Sequence, residues 1–228
     1  MKPFVRLGTA HTPSGTKLEL FRHDRDYVIW ADGIELMSTR RHYSEDRLAE
    51  LACAPLANAP GVRVLVGGLG LGFTLKAALG HLGADAEVVV AELVPEVIAW
   101  NADVSHGLAH EAMADPRVRV LQADVVQVLR EQPAGFDGIM LDTDNGPDGM
   151  LMKENASLYS TTGIASTIAA LRPGGRIAYW SVGEDRPFVG ALQRAGLVVE
   201  TFRERAHATS GPKHVLFLAT PRAVAAAD

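Results

Sequence analysis

Val64-Leu65-Val66-Gly67-Gly68-Leu69-Gly70-Leu71-Gly72 is the stretch on which the fold turns. A short apolar run, Val62–Val66, ends in glycines and passes without a linker into a helical pattern over Thr74–Leu82. A buried strand that turns through glycines into a helix is the opening unit of an open α/β sheet. Glycines at such a turn permit unusual backbone angles and let a ligand approach the main chain. Gly68, Gly70 and Gly72 form GxGxG, whereas the dinucleotide fingerprint GxGxxG needs glycine at position 73, which is Phe73. No GK[ST] follows, which excludes a P-loop.

Downstream the alternation continues. Glu87–Ala91 reads as a second buried strand, and Pro95 opens the next helix at the position proline favours. Val118–Leu121 is a third strand, Asp124 starts a helix, and Phe136–Leu141 is a fourth strand. Arg176–Trp180 is a fifth, after the turn Arg172-Pro173-Gly174-Gly175. Val198–Phe202 and His214–Leu218 are two strands with no helix between them. The pattern predicts an α/β fold: a doubly wound, mostly parallel, Rossmann-like sheet ending in an antiparallel hairpin.

Upstream, residues 1–43 read as a small β-hairpin layer, with runs at Val5–Leu7, Lys17–Phe21 and Tyr27–Trp30 separated by turn residues. Residues 44–228 are expected to form the main domain. Ser44 is expected to cap a helix, with Glu45 and Asp46 in its first turn and Leu48, Leu51, Ala52 and Leu56 as its apolar stripe.

Composition narrows the function. Apolar residues make up 47% of the 228, enough for a substantial core. A formal charge of −5 argues against a broad nucleic-acid footprint. Cys53 is the single cysteine, in an apolar run, so it reads as a small core residue and no intramolecular disulfide can form. His42 and His214 lie at no metal-ligand spacing, and no metal is expected. The start Met1–Arg6 has no apolar signal region and no run is long enough to span a bilayer, so a cytoplasmic protein with neither a membrane nor a nucleic-acid partner is expected.

Glu92 ends the second strand, where a carboxylate can accept hydrogen bonds from two ribose hydroxyls; Leu93 follows it. Asp124 ends the third strand, where it can accept from an adenine amino group. Either acid alone also reads as a helix cap. Together with the glycine loop they occupy consecutive strand ends on one sheet edge, the edge where ligands of such sheets bind.

These features carry a resemblance. VLVGGLGLG, VVVAELVPEVI, VRVLQADVVQVL, FDGIMLDTDNGP and LRPGG together resemble the spermidine synthase family, within the class I methyltransferase-like fold, over nearly the whole chain. The resemblance implies a nucleoside-sulfonium cofactor of the S-adenosylmethionine type, held by Gly67, Gly68, Gly70, Leu71, Gly72, Glu92, Leu93, Asp124 and Asp142. It also implies a small-amine substrate near Tyr43 and Glu45, an aromatic, Tyr159, near the acceptor, and a homodimer. Aminopropyltransferases of the family carry an acid in the glycine loop, which pairs with the amine of decarboxylated S-adenosylmethionine and repels the carboxylate of the intact cofactor. The aligned position is read here as Leu71. The acids expected before Tyr43-Ser44-Glu45 are replaced by Thr39-Arg40-Arg41, which would oppose a polyamine if they line its groove.

The loop Asp142-Thr143-Asp144-Asn145-Gly146-Pro147 follows the fourth strand, beside the expected sulfonium. Asp142 and Asp144 are candidates to orient and deprotonate an amine, with Asn145 as an orienting amide. An Asx-turn closing strand to loop is the alternative reading of the same residues. Tyr179 and Trp180 end the fifth strand, and one of them is expected to face the pocket, where an aromatic face can attract a sulfonium. The leading expectation is therefore a transferase that uses intact S-adenosylmethionine on a small amine or amino acid. It would move a methyl or a 3-amino-3-carboxypropyl group, the latter with or without cyclisation. An aminopropyltransferase using the decarboxylated cofactor is the alternative, and a non-catalytic cofactor-binding protein a third.

Overall fold

Alternating apolar residues and tight turns give the N-terminal segment its own sheet. In the computed structural model, which describes residues 3–143, 153–207 and 209–222, β1 (Val5–His11), β2 (Lys17–His23), β3 (Asp26–Ala31) and β4 (Ile34–Ser38) pair antiparallel in that order. Asp32 and Gly33 close the last hairpin with φ of 47° and 83°, the two positive angles that a tight hairpin turn requires. The strand β4 was not read from the sequence, where Met37 and Ser38 blur its alternation. One face of this layer buries Leu18, Leu20, Ile29 and Ala31. Gly8 allows the close fit: a Cβ there would lie 2.4 Å from Trp100 Nε1.

The main sheet is built from β5 (Arg63–Gly67), β6 (Glu87–Glu92), β7 (Val118–Gln122), β8 (Phe136–Leu141), β9 (Leu171–Ser181), β10 (Leu197–Arg205) and β11 (Lys213–Pro221). Their order is β10-β11-β9-β8-β5-β6-β7; β5 to β9 are parallel to one another, and β11 is antiparallel to both β9 and β10. This is the doubly wound, mostly parallel architecture expected. The connections are α1 (Tyr43–Cys53), α2 (Phe73–His81), α3 (Pro95–Ala102), α4 (His110–Met113), α5 (Val125–Glu131), α6 (Thr161–Ala169) and α7 (Arg186–Arg194).

Strand alternation divides the core into two layers. Val64, Val66, Val88, Val90, Met140, Ala178 and Trp180 face one side, with Leu48 and Ala52 of α1, Leu75 of α2, Trp100 of α3 and the N-terminal sheet. Leu65, Val89, Ile139, Leu141, Ile177 and Tyr179 face the other, with residues of α5, α6 and α7. Cys53 is buried, as its apolar surroundings imply. The two layers bring the N-terminal sheet and α1 onto the face that Trp180 shares, and so set what lies above the carboxyl edge of the strands.

Candidate active site

The glycine loop is shaped by contacts a side chain would block. Gly68 has φ of 91°, and a Cβ on it would come within 2.4 Å of the Asp142 carbonyl oxygen. Glu92, only 8% exposed, fastens the loop: its Oε2 accepts from the Leu69 amide and its Oε1 from the Val94 amide, both at 2.9 Å. Burial raises the Glu92 pKa, and the backbone amides act in the opposite direction. The Gly70 and Leu93 amides also act on this carboxylate, so the loop and the strand end both turn their N–H groups toward it. Asp124 uses Oδ1 to cap α5, accepting from the Val126 amide at 2.8 Å, which leaves Oδ2 for another donor. Glu92 and Asp124 thus set two carboxylates at adjacent strand ends, Asp124 with one oxygen to spare.

Leu71 departs from expectation. Its side chain is 2% exposed within the apolar core, because the loop turns it inward. The loop position that projects toward the N-terminal sheet is 70, with φ of 51°, where a Cβ would meet Met37 Sδ and Cε at 2.9 Å. The acid-free character of the loop stands, but Leu71 is a core residue.

A second group of acids sits nearby. Asp142, at the end of β8, accepts from Thr74 Oγ1 at 2.5 Å. Burial pushes its pKa up to about 6, against the lowering effect of that bond. Glu45, from the first turn of α1, is pushed up to about 8, first by burial and then by the charge of Asp142. Two carboxylates about a hundred residues apart in sequence are therefore near enough for one charge to act on the other.

Ser44 organises the next layer. Its hydroxyl meets Glu45 Oε2 at 2.5 Å, His214 Nδ1 at 2.9 Å and Trp180 Nε1 at 3.0 Å. The indole can only donate, and a hydroxyl has one proton. When Ser44 donates to an ionised Glu45, His214 must therefore carry its proton on Nδ1; when Glu45 is protonated and donates, Ser44 can donate to His214 instead. The expected capping role is overturned: helix α1 begins at Tyr43 with His42 at the cap position, and Ser44 is fully buried with its hydroxyl committed to this network.

Beside the network lies a cavity of about 230 Å³, lined by Glu35, Met37, Arg41, Glu45, Trp180 and His214 among others. Arg41 pairs with Glu35 through Nη2. Burial, with the Arg41 charge second, pushes His214 down to about 4, so its ring is neutral at physiological pH.

Comparison with known proteins places this arrangement. Over 94% of the chain and 72% of theirs, it superposes on the spermidine synthase from Thermotoga maritima with a TM-score of 0.72 and 19% identity. It superposes with a TM-score of 0.71, again at 19% identity, on a spermidine synthase in complex with the transition-state analogue AdoDATO. The chain has the spermidine synthase fold. In sequence it is 26% identical over 202 residues to polyamine aminopropyltransferase 1 of Streptomyces coelicolor, covering 82% of this chain and 35% of that protein, so it spans about a third of that relative. No protein-family model matches.

Against the spermidine synthase fold the remaining expectations sort themselves. Trp180 reaches the cavity, but Tyr179 does not: alternation on β9 sends it to the opposite core layer, fully buried against Tyr159 and Phe188. Tyr159 touches the strand-end loop through Thr143 Oγ1, at 3.1 Å. Tyr43 is 36% exposed at the start of α1 and does not line the cavity. Asp144 and Asn145 lie outside the described residues. Of the two arginines, Arg40 pairs with Asp26 at 2.5 Å on the exposed side, and only Arg41 enters the cavity wall. Glu35, Met37 and His214 were not read as site residues. The alternation Glu35-Leu36-Met37 was the one signal that could have placed Glu35 and Met37 on a strand.

Proposed function

We propose that this chain is an aminopropyltransferase-type enzyme, moving the 3-aminopropyl group of decarboxylated S-adenosylmethionine to a small amine. The observation that carries the reading is the proximity of Glu45 and Asp142 beside the glycine loop, two carboxylates whose raised pKa values suit them to take a proton from an amine near neutral pH. The relatives' names point the same way. Glu92 and Asp124 would hold the nucleoside, and residues 44–228 would form the unit that carries it. Residues 1–43 would close the site through Met37 above Gly70.

The donor substrate supplies an electrophilic carbon on a sulfonium that departs as a neutral thioether and needs no acid. The work of the protein is then to align the amine, remove its proton and exclude water. The amine nitrogen forms the new bond to carbon, the carbon–sulfur bond breaks toward sulfur, and the amine proton passes to the carboxylate pair. Asp142 is held in place by Thr74 and Glu45 by Ser44, so neither needs to reorganise.

The acid-free loop favours a second reading, in which intact S-adenosylmethionine is accepted and its larger amino-acid chain is transferred. Incubation with each donor and an amine, followed by mass spectrometry of the nucleoside product, tests the proposal. Methylthioadenosine from the decarboxylated donor supports it. Methylthioadenosine from the intact donor alone supports the second reading, and S-adenosylhomocysteine contradicts both.

A further inference from the structure

The cavity wall is not that of a polycation site. Glu35 and Arg41 set one charge of each sign in it, His214 is held neutral, and burial raises the Glu45 pKa to about 8. A diamine charged at both ends would bring one ammonium near the Arg41 guanidinium, a like-charge contact that an aminocarboxylate avoids. A molecule with one charge of each sign faces a complementary wall. The guanidinium has five N–H donors in a planar fork suited to a carboxylate, and among the described residues Glu35 engages it through Nη2. Glu45 stands in the same wall, next to Asp142.

We propose that the acceptor substrate is an aminocarboxylate, its carboxylate held by Arg41 and its amine turned toward Glu45 and Asp142. This rests on the transferase reading above and names the class of molecule that the same site takes. Glu35 pairs with Arg41 in the cavity wall, and Met37 and Trp180 provide the apolar walls along which a short methylene chain lies. The position of Arg41 follows from its backbone as well: its amide donates to the Ser38 carbonyl at 3.0 Å, closing the chain at the end of β4 and turning the next residues into α1.

The test compares two molecules of equal chain length, 4-aminobutyrate and 1,4-diaminobutane, titrated calorimetrically into protein saturated with methylthioadenosine. The proposal expects 4-aminobutyrate to bind at least about tenfold more tightly, the scale of one hydrogen bond to a charged group at a partly exposed site. Arg41→Gln should weaken 4-aminobutyrate by roughly 10–100-fold while leaving 1,4-diaminobutane within a few-fold or improving it, and Arg41→Lys should restore part of the loss. Arg41 is 45% exposed, so these variants are expected to fold. Tighter binding of the diamine, an unchanged 4-aminobutyrate affinity in Arg41→Gln, or no binding of either molecule overturns the proposal. The nucleoside-product assay separates the two ideas. Methylthioadenosine formed with diamines alone preserves the transferase reading and sinks this one. Arg41-dependent binding of 4-aminobutyrate without any transfer overturns the transferase reading and reduces this one to recognition of an aminocarboxylate by the cavity.

Discussion

The carboxyl edge of the main sheet and the cavity beside α1 differ in how they are assembled. At the edge, Glu92 reaches Leu69 and Val94, and Asp124 reaches Val126 two residues on. Each group sits at a strand end next to the turn it secures, and strand order supplies the rest. In the cavity, Ser44 meets His214 across 170 positions of sequence, and Met37 of the N-terminal sheet covers Gly70 of the loop. The edge follows from strand order and local turns. The cavity depends on contacts between distant parts of the chain, and a substrate preference is set by such a site and not by the fold.

That contrast is open to attack at the residue that joins the two regions. Asp142→Asn keeps the size of the side chain and its bond with Thr74 but removes the basic carboxylate. The single-turnover rate at saturating donor should fall by about 10²–10⁴-fold, with donor affinity within a few-fold of wild type. A near-normal rate would make Asp142 a turn-former and leave alignment as the sole source of catalysis.

Glu92→Gln probes the edge alone. It retains an acceptor for one backbone amide and forfeits the charge, so donor binding should weaken by about 1.5–3 kcal/mol in calorimetry. Acceptor preference should stay as in wild type. A shift in acceptor preference would mean that the two regions do not divide the work as described.

The cavity has a signature in stability against pH. The folded-state pKa of Glu45 is raised from 4.5 to about 8, so between these values the native protein binds more protons than the unfolded chain. Stability should therefore fall as pH rises through this window, and Glu45→Gln should remove that part of the slope. Urea denaturation at several pH values checks it. An identical slope in the variant would place Glu45 in a solvated environment.

The smallest effect is expected at Asp124. Asparagine caps helices about as well as aspartate, so Asp124→Asn should change stability by no more than a few tenths of a kcal/mol. Donor affinity in the same variant then reports separately on the second carboxylate oxygen. An unchanged affinity would assign Asp124 to capping alone.

How much could be read from the sequence follows the same division. The parallel sheet, its terminal hairpin, the glycine turn and the acids at the strand ends were legible because each is a short contiguous pattern with a local cause. The aromatic pair was legible only in half: alternation on β9 sends Tyr179 and Trp180 to opposite core layers, but which of them shares the layer of α1 and the N-terminal sheet is settled by tertiary packing. Leu71 misled because a turn through glycines sends successive side chains to unrelated directions, and no periodicity applies there. Ser44 has the residue type and position of a cap, yet its hydroxyl is claimed by Trp180 and His214, partners that only tertiary packing brings near. Arg41 could be seen to oppose a polyamine, but whether it reached the groove depended on β4 and on the turn that follows it.

The central claim is that the edge and the cavity form one continuous site, the donor on one side of the Glu45–Asp142 pair and the acceptor on the other. A compound joining the nucleoside thioether through a propyl chain to an amine tests it most directly, titrated against methylthioadenosine and the free amine. If the site is continuous, the joined compound should bind roughly 100-fold or more tightly than the better of its two parts, the gain linkage gives when both sites can be engaged at once. An affinity no better than that of methylthioadenosine would show that the two regions cannot be occupied together, and would contradict the account.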